Sequence, residues 1–201
     1  MDQNVILVET VPLEFDLESL GCRLRIRPGQ TKFMDRLSRL AEEAVRVARP
    51  KAVARLCGLT ILDEENVQVG EVTFSSPLLR QKMDGLERAF PYLASEGTEL
   101  ADWSLSLSSS LEQVFASALR EVAVQQAENL LERTLLERYG IAQVSAMNPG
   151  SLKVWSLEEQ VPLFELLAPL PEKLGVTLLP SLMMRPEYSV SGVFFQTDSK
   201  F

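Results

Sequence analysis

No histidine occurs anywhere in the 201 residues. That omission removes Ser-His-Asp and Cys-His catalysis, a histidine-based zinc site and a histidine pH switch. A metal, if one takes part, is expected to arrive inside a cofactor or on a partner. Cysteine is nearly as scarce. Cys22 and Cys57 are too few and too far apart for a disulfide scaffold or a Cys-x-x-Cys redox pair, and both read as buried thiols acting as small hydrophobes. No apolar run approaches the ~20 residues needed to cross a bilayer. Met1 to Pro12 shows neither the basic start nor the apolar core of a signal peptide, so the expected location is cytoplasmic. There is no Walker-type phosphate loop, no paired Gly-rich dinucleotide loop and no nucleophile elbow. Positive charge is in deficit: 20 Lys and Arg stand against 28 Asp and Glu, a net −8. The cations are scattered as well, which argues against nucleic acid or an anionic membrane as the main partner.

What is present is ordinary globular patterning, with 46% hydrophobic and 24% charged residues, in a chain long enough for one sizeable core. Asn4 to Glu9 is a β-branched run and reads as the first strand. Asp16 to Leu20 suggests a helical turn, and Pro28-Gly29 a loop. From Lys32 to Ala48, the residues Phe33, Leu37, Leu40, Ala41, Ala44, Val45 and Ala48 recur at helical spacing, and Pro50 stops that helix. Ala52 to Cys57 reads as a strand. The acidic turn Asp63-Glu-Glu-Asn66 lacks the ligand spacing of a calcium loop, and it leads into an alternating strand from Val67 to Phe74. Ser76-Pro77 opens a helix to about Asp84, and Phe90 to Ser95 is another strand.

Between Thr98 and Tyr139 there is neither Gly nor Pro. Ser108-Ser-Ser110 is expected to divide this stretch into a short helix and a long one, the latter ~45 Å at 1.5 Å per residue. Its Glu- and Gln-rich side reads as the wet face. Gly140 ends it, and Ile141 to Ser145 turns back as a strand. The last quarter holds a loop at Asn148-Pro149-Gly150-Ser151, a helix after Trp155, the connector Gly175-Val-Thr-Leu178, Met183-Met184, and a closing strand through Ser189, Ser191 and Gly192. Asn148 to Ser151 is either a turn or a site, since its composition favours turns in any case. The Ser189-Val-Ser-Gly192 strand, lacking bulk, is either tightly packed core or the wall of a ligand cleft. Met183-Met184 reads as core filler and Trp155 as buried. No repeat or linker marks a domain boundary. Strands and helices mix without regular βαβ alternation, which predicts an α+β fold with a largely antiparallel sheet packed by long helices.

The last quarter resembles the activation domain of cobalamin-dependent methionine synthase, and more closely its free-standing bacterial relatives. The resemblance rests on Ser189-Val-Ser-Gly192, Val193-Phe-Phe195 and Asp198-Ser-Lys-Phe201. Pro149-Gly150, Leu157-Glu-Glu-Gln160, Gly175-Val-Thr-Leu178 and Met183-Met184 add to it, and Ala127-Glu128 with Leu131-Glu-Arg133 extends it weakly upstream. It implies one domain over 1–201 with a curved antiparallel sheet and long helices. It also implies an accessory role in corrinoid-dependent methyl transfer: docking on a corrinoid-binding protein or methyltransferase domain, the partner carrying the cobalamin, and supporting its reductive reactivation. The implied binding residues are Ala146, Asn148, Pro149, Gly150, Ser151, Ser189, Ser191 and Gly192.

The family's nucleotide loop reads Arg-x-x-x-Gly-Tyr-Pro, and here Ala146, Ser151 and Leu152 replace its Arg, Tyr and Pro. A charge-assisted anchor for the ligand carboxylate and an aromatic cover are both missing. At ~1.5–3 kcal/mol each, the two losses weigh against S-adenosylmethionine binding by the family's mode. The acidic position expected on the long helix falls near Val124 or Gln125, neither of which is acidic. The alternative is therefore an interaction module that keeps the fold without the small-molecule chemistry.

Overall fold

The computed structural model describes residues 3–151 and 155–197. At its centre is the strand β6 (Arg88–Ser95), buried along nearly its whole length. In chain order β6 is preceded by β1 (Val5–Val8), helices α1 (Leu17–Arg23) and α2 (Thr31–Val47), strands β2 (Lys51–Arg55), β3 (Cys57–Ile61), β4 (Asn66–Val69) and β5 (Val72–Ser75), and helix α3 (Pro77–Lys82). It is followed by α4 (Thr98–Ser106), α5 (Ser110–Tyr139) and β7 (Val144–Met147), a 3₁₀ turn (Leu157–Glu159), α6 (Gln160–Leu167) and α7 (Leu170–Leu174). Then come β8 (Thr177–Leu178), β9 (Met184–Arg185) and β10 (Ser189–Gln196).

Every pairing in the eight-stranded sheet is antiparallel. On one side β6 pairs β10, which in turn pairs β7. On the other side it pairs two strands in succession: β2 through Tyr92–Ser95, and β3 through Arg88 and Ala89. Between these segments lies Pro91, which has no N–H to give to a ladder. The neighbour changes where β6 has least to offer it, and the sheet forks into a β1–β2 arm and a β3–β4–β5 arm. The single strand expected over Ala52 to Cys57 is thus two strands separated at Leu56.

Alternation along the strands sends two sets of side chains to two layers. Phe90, Tyr92, Ala94, Ala52, Ala54, Val190 and Phe194 face α5, where Ala127, Leu131 and Leu135 are buried. Leu93, Val53, Val193 and Phe195 face the other way, onto Leu163, Leu166 and Leu167 of α6 and the fully buried Trp155. A third apolar cluster lies among α1, α2, α4 and the first half of α5, around Leu37, Leu40, Leu100 and Leu119. The α5 helix is the spine shared by two of these clusters. Asp16 caps α1 by accepting from the Ser19 N–H, and Ser76 caps α3 with Pro77 at its first position. Gly140 ends α5 in the left-handed conformation, with its N–H on the Leu136 carbonyl.

Four expectations need correction. Val67 to Phe74 is a hairpin, β4–β5, turned at Gly70-Glu71 with Gly70 at φ 59°; a left-handed glycine is what such a turn requires. The strand expected at Ile141 begins instead at Val144, because buried Ile141 donates its N–H back to Leu136 and serves the end of α5. Cys22 is exposed on the outer side of α1, while Cys57 is buried. Met183 is exposed; only Met184 packs against the core. Asp198 to Phe201, Leu152 and Met1-Asp2 lie outside the described residues.

Candidate functional site

Register decides what stands beside the Asn148 turn. β7 pairs β10 with Val193 opposite Met147 and Phe194 opposite Ala146, so the chain leaving β7 passes directly over Ser191 and Gly192. The Asn148 amide fixes the crossing. Its Nδ2 donates to the Ser191 carbonyl at 2.8 Å and to the Tyr92 hydroxyl at 2.7 Å. The Tyr92 hydroxyl in turn donates to Glu128 Oε1 at 2.6 Å. A three-residue relay thus joins the turn, the central strand and α5. The Tyr92 ring stacks on Phe194, with centroids 3.9 Å apart and planes 18° off parallel.

Gly192 makes this approach possible. A Cβ there would lie 2.4 Å from the Met147 carbonyl oxygen, 2.6 Å from Asn148 Nδ2 and 2.9 Å from the Tyr92 ring. The space that the missing side chain leaves is taken by the chain's own atoms. Gly150 sits at φ 78°, facing Leu157, and donates its N–H to the Trp155 carbonyl at 2.8 Å. Ser151 closes the turn through its N–H and its hydroxyl, both donating to the Asn148 carbonyl at 3.1 and 2.6 Å. Pro149 is buried.

The remaining predicted residues are distributed unevenly. Ala146 lies exposed on β7, on the face toward α5, and brings no charge there. Ser191 Oγ is buried on the opposite face of β10 with no hydrogen-bond partner among the described residues. Ser189 is further along β10, where its hydroxyl makes contacts of 2.9 Å to Ser95 Oγ and 2.8 Å to the Pro186 carbonyl. The structure therefore brings Ala146, Asn148, Pro149, Gly150, Ser151, Ser191 and Gly192 together, while Ser189, which begins β10 just before them, turns its hydroxyl to Ser95 and Pro186 instead.

Sequence pattern alone does not mark Tyr92 or Glu128 as site residues. Glu128 lies on the Glu- and Gln-rich side of α5 that reads as the wet face, one turn beyond Val124 and Gln125. The signal for Tyr92 is its place in the strand Phe90 to Ser95, since a tyrosine hydroxyl needs a partner once its strand is buried. Burial foremost, and then the Glu128 carboxylate, push the Tyr92 phenol well above its ordinary value of 10. At neutral pH it is a donor, and Glu128 is the acceptor that ends the relay.

The electrostatics at this face run against an amino-acid carboxylate. Where an arginine would answer it there is Ala146, and the nearby charged group that the relay presents is itself a carboxylate. The residues do not fit S-adenosylmethionine held by the mode that the family's arginine and tyrosine provide. Among the described residues, no group of three or more Cys, Asp or Glu side chains is arranged to hold a metal ion.

A second buried network holds the start of β10. Glu96, fully buried, takes Arg120 Nε and Nη2 at 2.6 and 2.7 Å and the Tyr188 N–H at 3.2 Å. The guanidinium lies 4.4 Å from the centre of the Tyr188 ring. This clamp sets β10 against α5 and so secures the strand that carries Ser191 and Gly192.

No protein-family model matches the chain. No curated protein matches it either. Among solved structures, it is similar to the crystal structure of the MetH reactivation domain bound to AdoHcy, with a TM-score of 0.67 and 17% sequence identity. The match covers 98% of this chain and 80% of that one. The mixed helices, the antiparallel sheet and this near-complete coverage together give the chain the fold of the methionine synthase activation domain.

Proposed function

We propose that this chain is an accessory protein of corrinoid-dependent methyl transfer. In this reading it docks on a protein that carries cobalamin and supports the reductive return of that cofactor to its working state. The observation that carries the reading is the crossing of the Asn148–Ser151 turn over Ser191 and Gly192, within a fold like that of a reactivation domain solved with AdoHcy. Ala146, Asn148, Gly150 and Ser151 form the face presented to the partner, and buried Pro149, Ser191 and Gly192 support it from beneath, with half-buried Ser189 at the start of β10. The chain acts as one domain, in the cytoplasm.

A specific observation favours a narrower version, an interaction module that has given up the small-molecule step. The Asn148 amide, Met147 carbonyl and Tyr92 ring fill the space over Gly192, and no arginine stands at position 146. Calorimetric titration with S-adenosylmethionine, and separately with a cob(II)alamin-loaded carrier protein followed by cobalt absorbance, separates the two. Carrier binding alone is the expected result and supports the docking module. Binding of both ligands restores the full activation role, whereas binding of neither ends the corrinoid reading.

A further inference from the structure

Along the 3₁₀ turn and α6, the residues Leu157, Val161, Phe164 and Ala168 fall at spacings of four, three and four. They therefore share one stripe of the helix. A core helix buries such a stripe, and α6 does bury another one, through Leu163, Leu166 and Leu167. This second stripe is open at Leu157 and Val161, 37% and 42% exposed, while Phe164 is partly buried against the core. It ends in an apolar recess of about 250 Å³ lined by Phe164, Pro169, Pro171, Val176 and Leu178. A helix with apolar residues on two sides and water on one of them presents a surface for a partner.

The rim of the stripe says what kind of partner. Glu158 and Glu165 flank it on the same side of the helix, both exposed, and Glu172 stands at the mouth of the recess. Carboxylates beside an apolar track favour an apolar face bordered by cations and repel one bordered by acids. An apolar track ending in a recess for one side chain can seat the apolar face of an amphipathic helix. We infer that the α6 stripe is a docking site for an amphipathic helix of another protein, with Leu- or Phe-type anchors along one face and Lys or Arg on its borders. This site is independent of the corrinoid reading and stands or falls separately from it.

The test uses the full chain and a fluorescently labelled helical peptide with leucines on one face and lysines on both borders, followed by anisotropy. Saturable one-to-one binding is expected, weakened by salt and lowered roughly tenfold or more, about 1.4 kcal/mol per tenfold, by Val161→Asp. Val114→Asp, an exposed apolar position on α5, should leave the affinity unchanged and controls for general attraction to an acidic protein. The same peptide with glutamates in place of its lysines should bind at least tenfold more weakly. No saturable binding, equal affinity for the glutamate peptide, or equal sensitivity to Val114→Asp would overturn the proposal. So would sedimentation showing that Val161→Asp dissolves a homo-oligomer, because the stripe would then belong to a second copy of this chain.

Discussion

At the scale of single residues, the candidate site is a packing arrangement before it is a chemical one. Gly192→Ala would drive a methyl into the Met147 carbonyl and the Asn148 amide. Overpacking of that sort costs roughly 1–3 kcal/mol, so urea denaturation should show that loss with little change in slope. Asn148→Asp sets a carboxylate where both of the amide's donor contacts are needed, to the Tyr92 hydroxyl and the Ser191 carbonyl. An expected loss of roughly 1–3 kcal/mol follows from leaving buried acceptors unanswered, and Asn148→Ala should cost less because it adds no charge. Tyr92 also leaves a pH signature. Its phenol is held protonated in the fold by burial and by Glu128, while in the unfolded chain it ionises near 10. Above that pH the native state holds the extra proton, so stability must fall as pH rises, by up to about 1.4 kcal/mol per unit. Tyr92→Phe should flatten that alkaline decline in a denaturation series.

The two thiols offer a simpler test. Burial pushes the Cys57 thiol up to about 11, outweighing the nearby Arg55, whereas Cys22 is exposed. Because the thiolate is the reactive form, brief iodoacetamide treatment of the native protein should modify Cys22 alone. Mass spectrometry would locate the single label, and Cys57 should react only after unfolding.

At the scale of elements, the Glu96–Arg120 clamp ties β10 to α5. Burial raises the Glu96 carboxyl, and the Arg120 guanidinium opposes that rise. Arg120→Met leaves the fully buried carboxylate alone, which typically costs 3–5 kcal/mol. Protonating Glu96 relieves an unpaired charge. The deficit relative to wild type should therefore be largest near neutrality and should shrink as pH drops toward the carboxylate's ordinary value of 4.5. Guanidinium denaturation at neutral and mildly acidic pH would show it, and a deficit independent of pH would place the cost in lost packing instead. Most elements were legible in advance: β1, α1, α2, α3, β6 and α5 lie within a few residues of their expected positions. Their signals were local, a capping Asp16 or Ser76, a stop at Gly140, an apolar period. The β4–β5 hairpin was not read, because alternation continues across Gly70 as though the strand did, and only the return pairing of Val69 with Val72 reveals the turn.

At the scale of the molecule, α5 joins the helical cluster around Leu119 to the sheet cluster around Leu131. Substituting alanine at either position should cost roughly 2–5 kcal/mol. If the layers unfold as one body, each substitution moves the entire transition. Trp103 borders the helical cluster and Trp155 is buried in the α6 layer, so Trp155→Phe isolates the first reporter. Midpoints from Trp103 fluorescence, Trp155 fluorescence and far-UV circular dichroism should coincide in the wild type and in both alanine variants. Separate midpoints would divide the chain into independent units.

The sequence by itself determined the absence of histidine chemistry, the mixture of helix and strand, and the presence of a Pro149-Gly150 turn and of a strand of small residues. Those are matters of composition, period and local backbone preference. Only the tertiary structure decided that Gly192 admits the chain's own carbonyl and amide, that Glu128 reaches the site through Tyr92, and that Ser189 turns to Ser95 and Pro186 rather than to the Asn148 turn. Each depends on register between segments separated by tens of residues, and no local pattern records which atoms will meet across a sheet.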